Sequence, residues 1–272
     1  MCQGRAAAPH GARDPREWTA FISDLGRQRR WQGAVEALAE MHHQGAELGI
    51  YAYNAAIAAC EKGGAWAQAL RLLADARGVR LCLDVFSFSS AISACEKGTR
   101  WELALALLRG MREEAVEPNV ITCGAVLSAC EKGKEWEHAL WATAWLRCGG
   151  LVPNAITCNA GISACEKGQR WGPALLLLRE MQNMGVEETV VSWSAGICAC
   201  ESGARWEQAL ALLEEMVRQR LRPNLIAYSA AISACEKGRQ WLHACALLQQ
   251  MRQSSVEPDV TACGSTISAC EK

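Results

Sequence analysis

Apolar residues in the stretch 101–111 fall at Trp101, Ala104, Leu105, Leu108 and Met111. The offsets i, i+3, i+4, i+7 and i+10 put one apolar stripe along one side of an α-helix. An earlier apolar run is preceded by Asp84, whose carboxylate suits the N-cap of a first helix. Gly98 predicts the end of that helix, as the glycine one residue past its cap (C′). Pro118 forbids continuation of the second helix. Residues 85–119 are therefore expected to form a helical hairpin.

The hairpin recurs. The string Ile-Ser-Ala-Cys-Glu-Lys-Gly stands whole at residues 92–98, 162–168 and 232–238. Its cysteine returns every 35 residues, at Cys60, Cys95, Cys130, Cys165, Cys200, Cys235 and Cys270. A tryptophan keeps the same period at Trp66, Trp101, Trp136, Trp171, Trp206 and Trp241, with Trp31 starting the series. A fixed period of roughly 20 to 50 residues marks a stacked repeat array, in which no unit buries its apolar stripe alone. The array covers 14–272, in units 15–49, 50–84, 85–119, 120–154, 155–189, 190–224 and 225–259 and a partial unit 260–272. Asn119, Asn154, Asn224 and Asp259 precede first helices, and Gly133, Gly168, Gly203 and Gly238 separate the helices of a pair. The first unit has Leu25 where the cysteine belongs and is expected to be a terminal cap. The partial unit stops at Lys272, so the chain is expected to be a fragment or to be closed at that open end by other proteins.

Composition narrows the function. Half of the 272 residues are hydrophobic and only 7 are Pro, which excludes a disordered chain. No apolar run approaches the ~20 residues of a membrane helix, so no membrane association is expected. The net charge of -1 supplies no basic excess, which weighs against strong nonspecific attraction to phosphates. Of the 15 Cys, seven are the repeat cysteine; equivalent positions roughly 8 to 10 Å apart exceed disulfide reach, so reduced, intracellular thiols are expected. Residues 1–13 are Ala- and Arg-rich with no acid before Asp14, in the manner of an organelle transit segment, although short and without Ser.

Candidate chemistry is sparse. Cys123 and Cys130, like Cys158 and Cys165, share a helix face but lie roughly 10 Å apart along it, too far for one metal ion. His10, His42, His43, His138 and His243 share no register, and no catalytic constellation occurs. The chain is expected to be no enzyme and to hold no metal or cofactor. The tryptophan series, opening the apolar stripe, is expected in the core.

A 35-residue hairpin with a dipeptide such as Tyr53-Asn54 in its first helix, Ala-Leu and Leu-Leu in its second, Met near the end and Pro-Asn or Pro-Asp closing it resembles the pentatricopeptide repeat family. Two features depart from that pattern. Tryptophan opens the second helix where a smaller aliphatic residue is usual, and the aromatic kept at Tyr53, Phe88, Trp193 and Tyr228 becomes Cys123, Cys158 and Cys263.

The resemblance implies a right-handed α-solenoid that binds single-stranded RNA, one base per repeat, in organellar (chloroplast or mitochondrial) RNA processing, stability, editing or translation. The implied reading pairs are Asn54 with Asp84, Ser89 with Asn119, Gly124 with Asn154, Asn159 with Thr189, Ser194 with Asn224 and Ser229 with Asp259. By the family's pairing rules they read 5′-U-A-N-pyrimidine-A-G-3′. Base-flanking residues carried over in the same way are Tyr51, Phe86, Ile121, Ile156, Val191 and Ile226, and phosphate-contacting lysines are Lys62, Lys97, Lys132, Lys167 and Lys237, a ladder broken at Ser202.

Plainer readings exist for each. The closing Asn or Asp is what an N-cap needs, the small first-helix residues permit close packing, and each lysine follows a Glu at a helix end that favours a cation. What tilts toward information is contrast within the chain, because the Ala, Cys, Trp and Leu scaffold stays fixed while the polar pair varies. The alternative function is a protein-binding α-solenoid without RNA, whose binding would respond little to salt.

Overall fold

The computed structural model describes residues 14–271, so the N-terminal segment 1–13 lies outside the described residues. Among the described residues every regular element is a helix: α1 (Pro15–Arg27), α2 (Trp31–His43), α3 (Ile50–Gly63), α4 (Trp66–Gly78), α5 (Val85–Lys97), α6 (Trp101–Glu113), α7 (Val120–Gly133), α8 (Trp136–Cys148), α9 (Ala155–Lys167), α10 (Trp171–Asn183), α11 (Val190–Ser202), α12 (Trp206–Arg218), α13 (Leu225–Lys237), α14 (Trp241–Gln253) and α15 (Val260–Glu271). They fall into two compact units, one running to Ala129 and the other starting at Cys130. In the first, α3 packs on α1 and α5, its neighbours at one-hairpin spacing, and on the second helices α2 and α4. In the second, α11 packs likewise on α9 and α13, and on α10 and α12.

A first helix enclosed by four neighbours needs small residues on most of its faces. On α5 these are Ser90, Ala91, Ala94 and Cys95, all buried, with Ile92 filling the interior. The second helices bury a narrower stripe, such as Ala104, Leu105, Leu108 and Met111 on α6, as the sequence spacing predicts. The repeat cysteines belong to this packing. Burial pushes the thiols of Cys60, Cys95 and Cys165 up to about 11, so they stay protonated and inert.

First helices other than α3, which follows Gly49, start where the sequence places an oxygen. The Asp84 carboxylate accepts from the Ser87 N–H at 2.8 Å, Asn154 from Thr157 at 2.9 Å and Asn224 from Ala227 at 2.9 Å. Ser87 and Thr157 return a bond to the N–H of the cap, completing a capping box.

The helix ends correct two expectations. Gly98 is the cap residue itself, with φ of -82°, and the left-handed C′ residue is Thr99, at φ of 55°. The Thr99 N–H donates to the Glu96 carbonyl and the Arg100 N–H to the Cys95 carbonyl, forming a Schellman ending whose C′ residue is not glycine. The same ending recurs with Gln169, Ala204 and Arg239 in the left-handed position. The glycine is required by a tryptophan. A Cβ at Gly168 would stand 2.6 Å from Trp136 Cδ1, and one at Gly98, Gly203 or Gly238 would collide with Trp66, Trp171 or Trp206 of the preceding hairpin.

The repeat tryptophans accordingly lie at the edge of the core rather than inside it, with Trp136, Trp171 and Trp206 partly buried and packed against it. Trp66, Trp136, Trp171 and Trp206 are half-buried lids lying across the next hairpin's helix end. Arginines cover the outer faces of three of them: Arg100 over Trp66 at 4.8 Å, Arg170 over Trp136 at 5.0 Å and Arg205 over Trp171 at 4.6 Å. The glycine, the arginine two residues later and the tryptophan of the preceding hairpin form a clasp between neighbours.

The clasp predicts opposite outcomes at adjacent positions. Gly168→Ala overpacks the Trp136 contact and should cost about 1–3 kcal/mol in thermal unfolding. Gln169→Gly, which frees a left-handed residue from its Cβ, should be neutral or stabilising. The reverse order would mean that backbone conformation fixes Gly168.

Candidate functional site

Four of the six residue pairs singled out as reading pairs meet directly. Asn54 on α3 donates through Nδ2 to the Asp84 carboxylate at 3.1 and 3.2 Å, and the Ser87 hydroxyl donates to Asn54 Oδ1 at 2.6 Å. Ser194 Oγ donates to Asn224 Oδ1 at 3.1 Å, and Ser229 Oγ to Asp259 Oδ1 at 3.3 Å. Ser89 reaches Asn119 through an intermediary: its hydroxyl lies 2.7 Å from Thr122 Oγ1, which donates to Asn119 Oδ1 at 2.9 Å. Gly124 has no side chain to bring to its pair. At Asp84, Asn224 and Asp259 the closing residue therefore does both jobs that the sequence allows, capping the next helix and holding the polar side chain of its own hairpin.

The electrostatics follow from that double role. Burial would raise the Asp84 carboxyl, but hydrogen bonds from Ser87 and from Asn54 outweigh it and hold it below the usual carboxylate value. Asp84 is thus a carboxylate at neutral pH with acceptor capacity left for a ligand N–H. At Asn224 the Ala227 N–H requires the amide oxygen, so Nδ2 is directed away from the helix as a donor. Asn159 differs from the other readers. Its Nδ2 contact with Thr189 Oγ1 is long, at 3.5 Å, and its buried Oδ1 accepts from no protein group. An unsatisfied buried acceptor costs about 1–3 kcal/mol, which a ligand donor placed there would recover.

Apolar side chains stand three residues before each reader on the same helix face. Tyr51, Phe86, Ile121, Ile156, Val191 and Ile226 are all exposed. Between Tyr51 and Phe86 opens a cavity of about 540 Å3 that also contains Asn54, Asp84, Lys62 and Arg27. Its lining thus combines two exposed apolar side chains, a polar pair and two cations. Three of its lining residues, Thr19, Ser23 and Arg27 from α1, were missed by the sequence reading. Register could have found two of them, since Thr19 and Arg27 lie 35 residues before Asn54 and Lys62.

The family model for the pentatricopeptide repeat domain matches residues 71–133, 106–168 and 176–238, and the single-repeat model matches 226–256. The chain belongs to the pentatricopeptide repeat family. The crystal structure of PPR10 from maize aligns with a TM-score of 0.69 at 22% identity, covering 97% of this chain and 38% of that one. PPR10 in complex with an 18-nt psaJ RNA element aligns with a TM-score of 0.53 at 17% identity, over 96% of this chain and 43% of that one. The PPR domain of Arabidopsis thaliana protein-only RNase P 1 in complex with tRNA gives 0.58 at 14% identity, over 66% of this chain and 95% of that one. No curated protein matches by sequence. The fold is an α-solenoid of stacked helical hairpins, and the chain spans less than half the length of PPR10.

The pentatricopeptide lysines form ion pairs between hairpins. Lys97 reaches Glu61 at 2.9 Å, Lys167 reaches Glu131 at 2.7 Å and Lys237 reaches Glu201 at 2.9 Å, each carboxylate belonging to the preceding hairpin. Glu201 and Glu236 also accept from Ser233 and Ser268 of the following one. Glu166 breaks the pattern, because Cys198 and Ser202 occupy the register of the serine and lysine. Burial, and after Lys167 the carboxylates of Glu131 and Glu201, leave its pKa above the ordinary value. Among the described residues no group of three or more His, Cys, Asp and Glu could hold a metal ion, and no helix is long and apolar enough to cross a membrane.

The raised Glu166 pKa has a definite sign. The folded state takes up this proton more readily than the unfolded chain, so the penalty is absent below the unfolded pKa and complete above the folded one. Ser202→Lys supplies the missing cation. It should raise the neutral-pH melting temperature by the equivalent of about 0–1 kcal/mol, with the gain shrinking in high salt. An equal gain at pH 4, where Glu166 is protonated, would refute the pairing.

Proposed function

We propose that this chain binds single-stranded RNA along its first helices, one base per hairpin, through the six pairs Asn54/Asp84, Ser89/Asn119, Gly124/Asn154, Asn159/Thr189, Ser194/Asn224 and Ser229/Asp259. The observation that carries this reading is the repeated juxtaposition of a hydrogen-bonded polar pair with an exposed apolar side chain three residues upstream. That combination offers a base one edge to bond and a face to stack on. The PPR10 and RNase P 1 structures described with RNA support it by fold.

In this scheme uracil meets Asn54 and Asp84, its N3–H donating to the carboxylate and a carbonyl accepting from the amide. Adenine meets the outward Nδ2 of Asn224. A pyrimidine meets Asn159, where uracil N3–H or the cytosine amino group satisfies the buried Oδ1. The target is 5′-U-A-N-pyrimidine-A-G-3′, and the cellular role is organellar RNA processing, stability, editing or translation.

The ion pairs of Lys97, Lys167 and Lys237 favour a second reading, a protein-binding scaffold, since each lysine contacts phosphate only by leaving a carboxylate. Selection from a random single-stranded RNA pool at two salt concentrations separates the two. Enrichment of the stated motif, weakening linearly in log affinity against log salt, is expected. Failure to enrich any sequence favours the scaffold.

Asn54→Ser beside Asp84 should move the first preference from uracil to guanine. The expected change is about tenfold in relative affinity, or ~1.4 kcal/mol. An unchanged uracil preference removes Asn54 from the code.

A further inference from the structure

We propose that Cys245 and Cys270 form a peroxide-oxidisable dithiol, a modification site whose disulfide ties α15 to α14 and fixes the helix that Asp259 caps. The bond itself needs no ligand. Its bearing on the Ser229/Asp259 pair rests on the RNA-binding reading above.

The two sulfurs lie 3.8 Å apart, on helices that pack against each other. Both residues are exposed. A disulfide bond is about 2.05 Å long, so rotation of two unburied side chains has less than about 2 Å to close. The pair arises from one substitution. At multiples of 35 residues before Cys245 stand Leu210, Leu175, Leu140, Leu105 and Leu70, with Val35 in the first hairpin, whereas Cys270 is the repeat cysteine. A thiol stands at this register in the α13–α14 hairpin alone. The other exposed cysteines of the described residues, Cys82 and Cys148, touch no second thiol.

The contact also shows in the acidity of Cys245. Desolvation, then the hydrogen bond with Cys270 and its charge, raise this thiol above its ordinary value, which makes the pair a slow, stoichiometric target of peroxide. One thiolate attacks a peroxide oxygen, breaking the O–O bond and leaving a sulfenic acid and hydroxide. The second thiolate attacks that sulfur, forming the S–S bond and displacing a second hydroxide. Two electrons pass from the sulfurs to the peroxide, and the two thiol protons leave in two molecules of water.

Position gives the bond its effect. Asp259 Oδ1 accepts from the Ala262 N–H at 2.8 Å and from the Ser229 hydroxyl at 3.3 Å, so the first turn of α15 is already joined to α13. Cys270 stands in the last turn of α15. Oxidation therefore holds α15 at both ends and preorganises the closing oxygen that a base would meet.

The test treats the 272-residue chain with hydrogen peroxide, alkylates the remaining free thiols and maps linked peptides by mass spectrometry. A bond between Cys245 and Cys270 is expected, forming at a rate independent of protein concentration, with slower amide exchange across 260–271 than in the reduced protein. Cys245→Leu, which restores the residue of the other hairpins, should abolish both changes, and Cys263→Ser should abolish neither. Oxidation should also slow release of labelled 5′-UAACAG-3′ about twofold or more and leave 5′-UAACA-3′, which lacks the base assigned to Ser229/Asp259, unchanged. A bond to another cysteine, unaltered oxidation in Cys245→Leu, or a pair that stays reduced while Cys82 and Cys148 oxidise overturns the proposal. Equal effects on the two RNAs, or none, overturn its link to the Ser229/Asp259 pair. Failure of both protein forms to bind RNA would reject the RNA-binding reading, while the linked peptides and amide exchange still decide whether the bond exists.

Discussion

The first turn of a helix has N–H groups without partners, and in this chain a side-chain oxygen at the start of the first helix meets that need in the hairpins other than α3–α4. The consequence reaches beyond the turn. An oxygen committed to the N–H of the third helical residue has its position fixed to within a hydrogen bond's tolerance. The reader of the preceding helix then leans on it, as Asn54 does on Asp84 and Ser194 on Asn224. The geometry that a base would meet is held by the same bonds that start each helix, so the site is rigid wherever the fold is intact. It also explains why the closing position accepts Asp, Asn and Thr but holds no residue lacking a side-chain acceptor until Gly49, where no α3 cap bond forms.

What could be read from the sequence divides along the range of the forces. Asp84 as a cap was legible because its partner, Ser87, is three residues away. The stripe of α6 was legible because helical periodicity is local. Gly98 was found but explained wrongly, since its reason is the indole of Trp66 on another hairpin, and nothing near Gly98 announces a ring above it. Trp66 was misassigned to the core for the same cause. A large apolar residue opening a stripe looks buried until the arginine that covers it is seen, and Arg100 reaches that ring across the hairpin boundary. The lysine ladder was legible as a row of cations, with the adjacent Glu noted as an offset. The true partner lies 36 residues back. Thr19 and Arg27 were available by counting and were passed over because Leu25 made the first unit look degenerate.

The balance of charge then constrains how such a chain can bind a polyanion. A surface whose cations are already paired contributes little favourable long-range field, and the net charge of -1 agrees with that. Specificity and affinity must come from short-range terms, from base edges against the polar pairs and from rings and aliphatic chains against base faces. These terms fall off within a contact distance, so they reward a correctly registered strand far more than a misregistered one.

Pairing is not uniform, and its exceptions are informative. Where Gly26 replaces a Glu, Lys62 and Arg27 retain their charge for a ligand; where Ser202 replaces a Lys, Glu166 retains a carboxylate that burial disfavours. Both follow from single substitutions in an otherwise repeated pair, and they have opposite signs. An RNA backbone would gain at the first and be repelled by the second. In a repeat array assembled from near-identical hairpins, such local charge defects supply polarity that the repeated scaffold cannot, and they favour a strand whose tightest phosphate contacts lie beside α1 and α3.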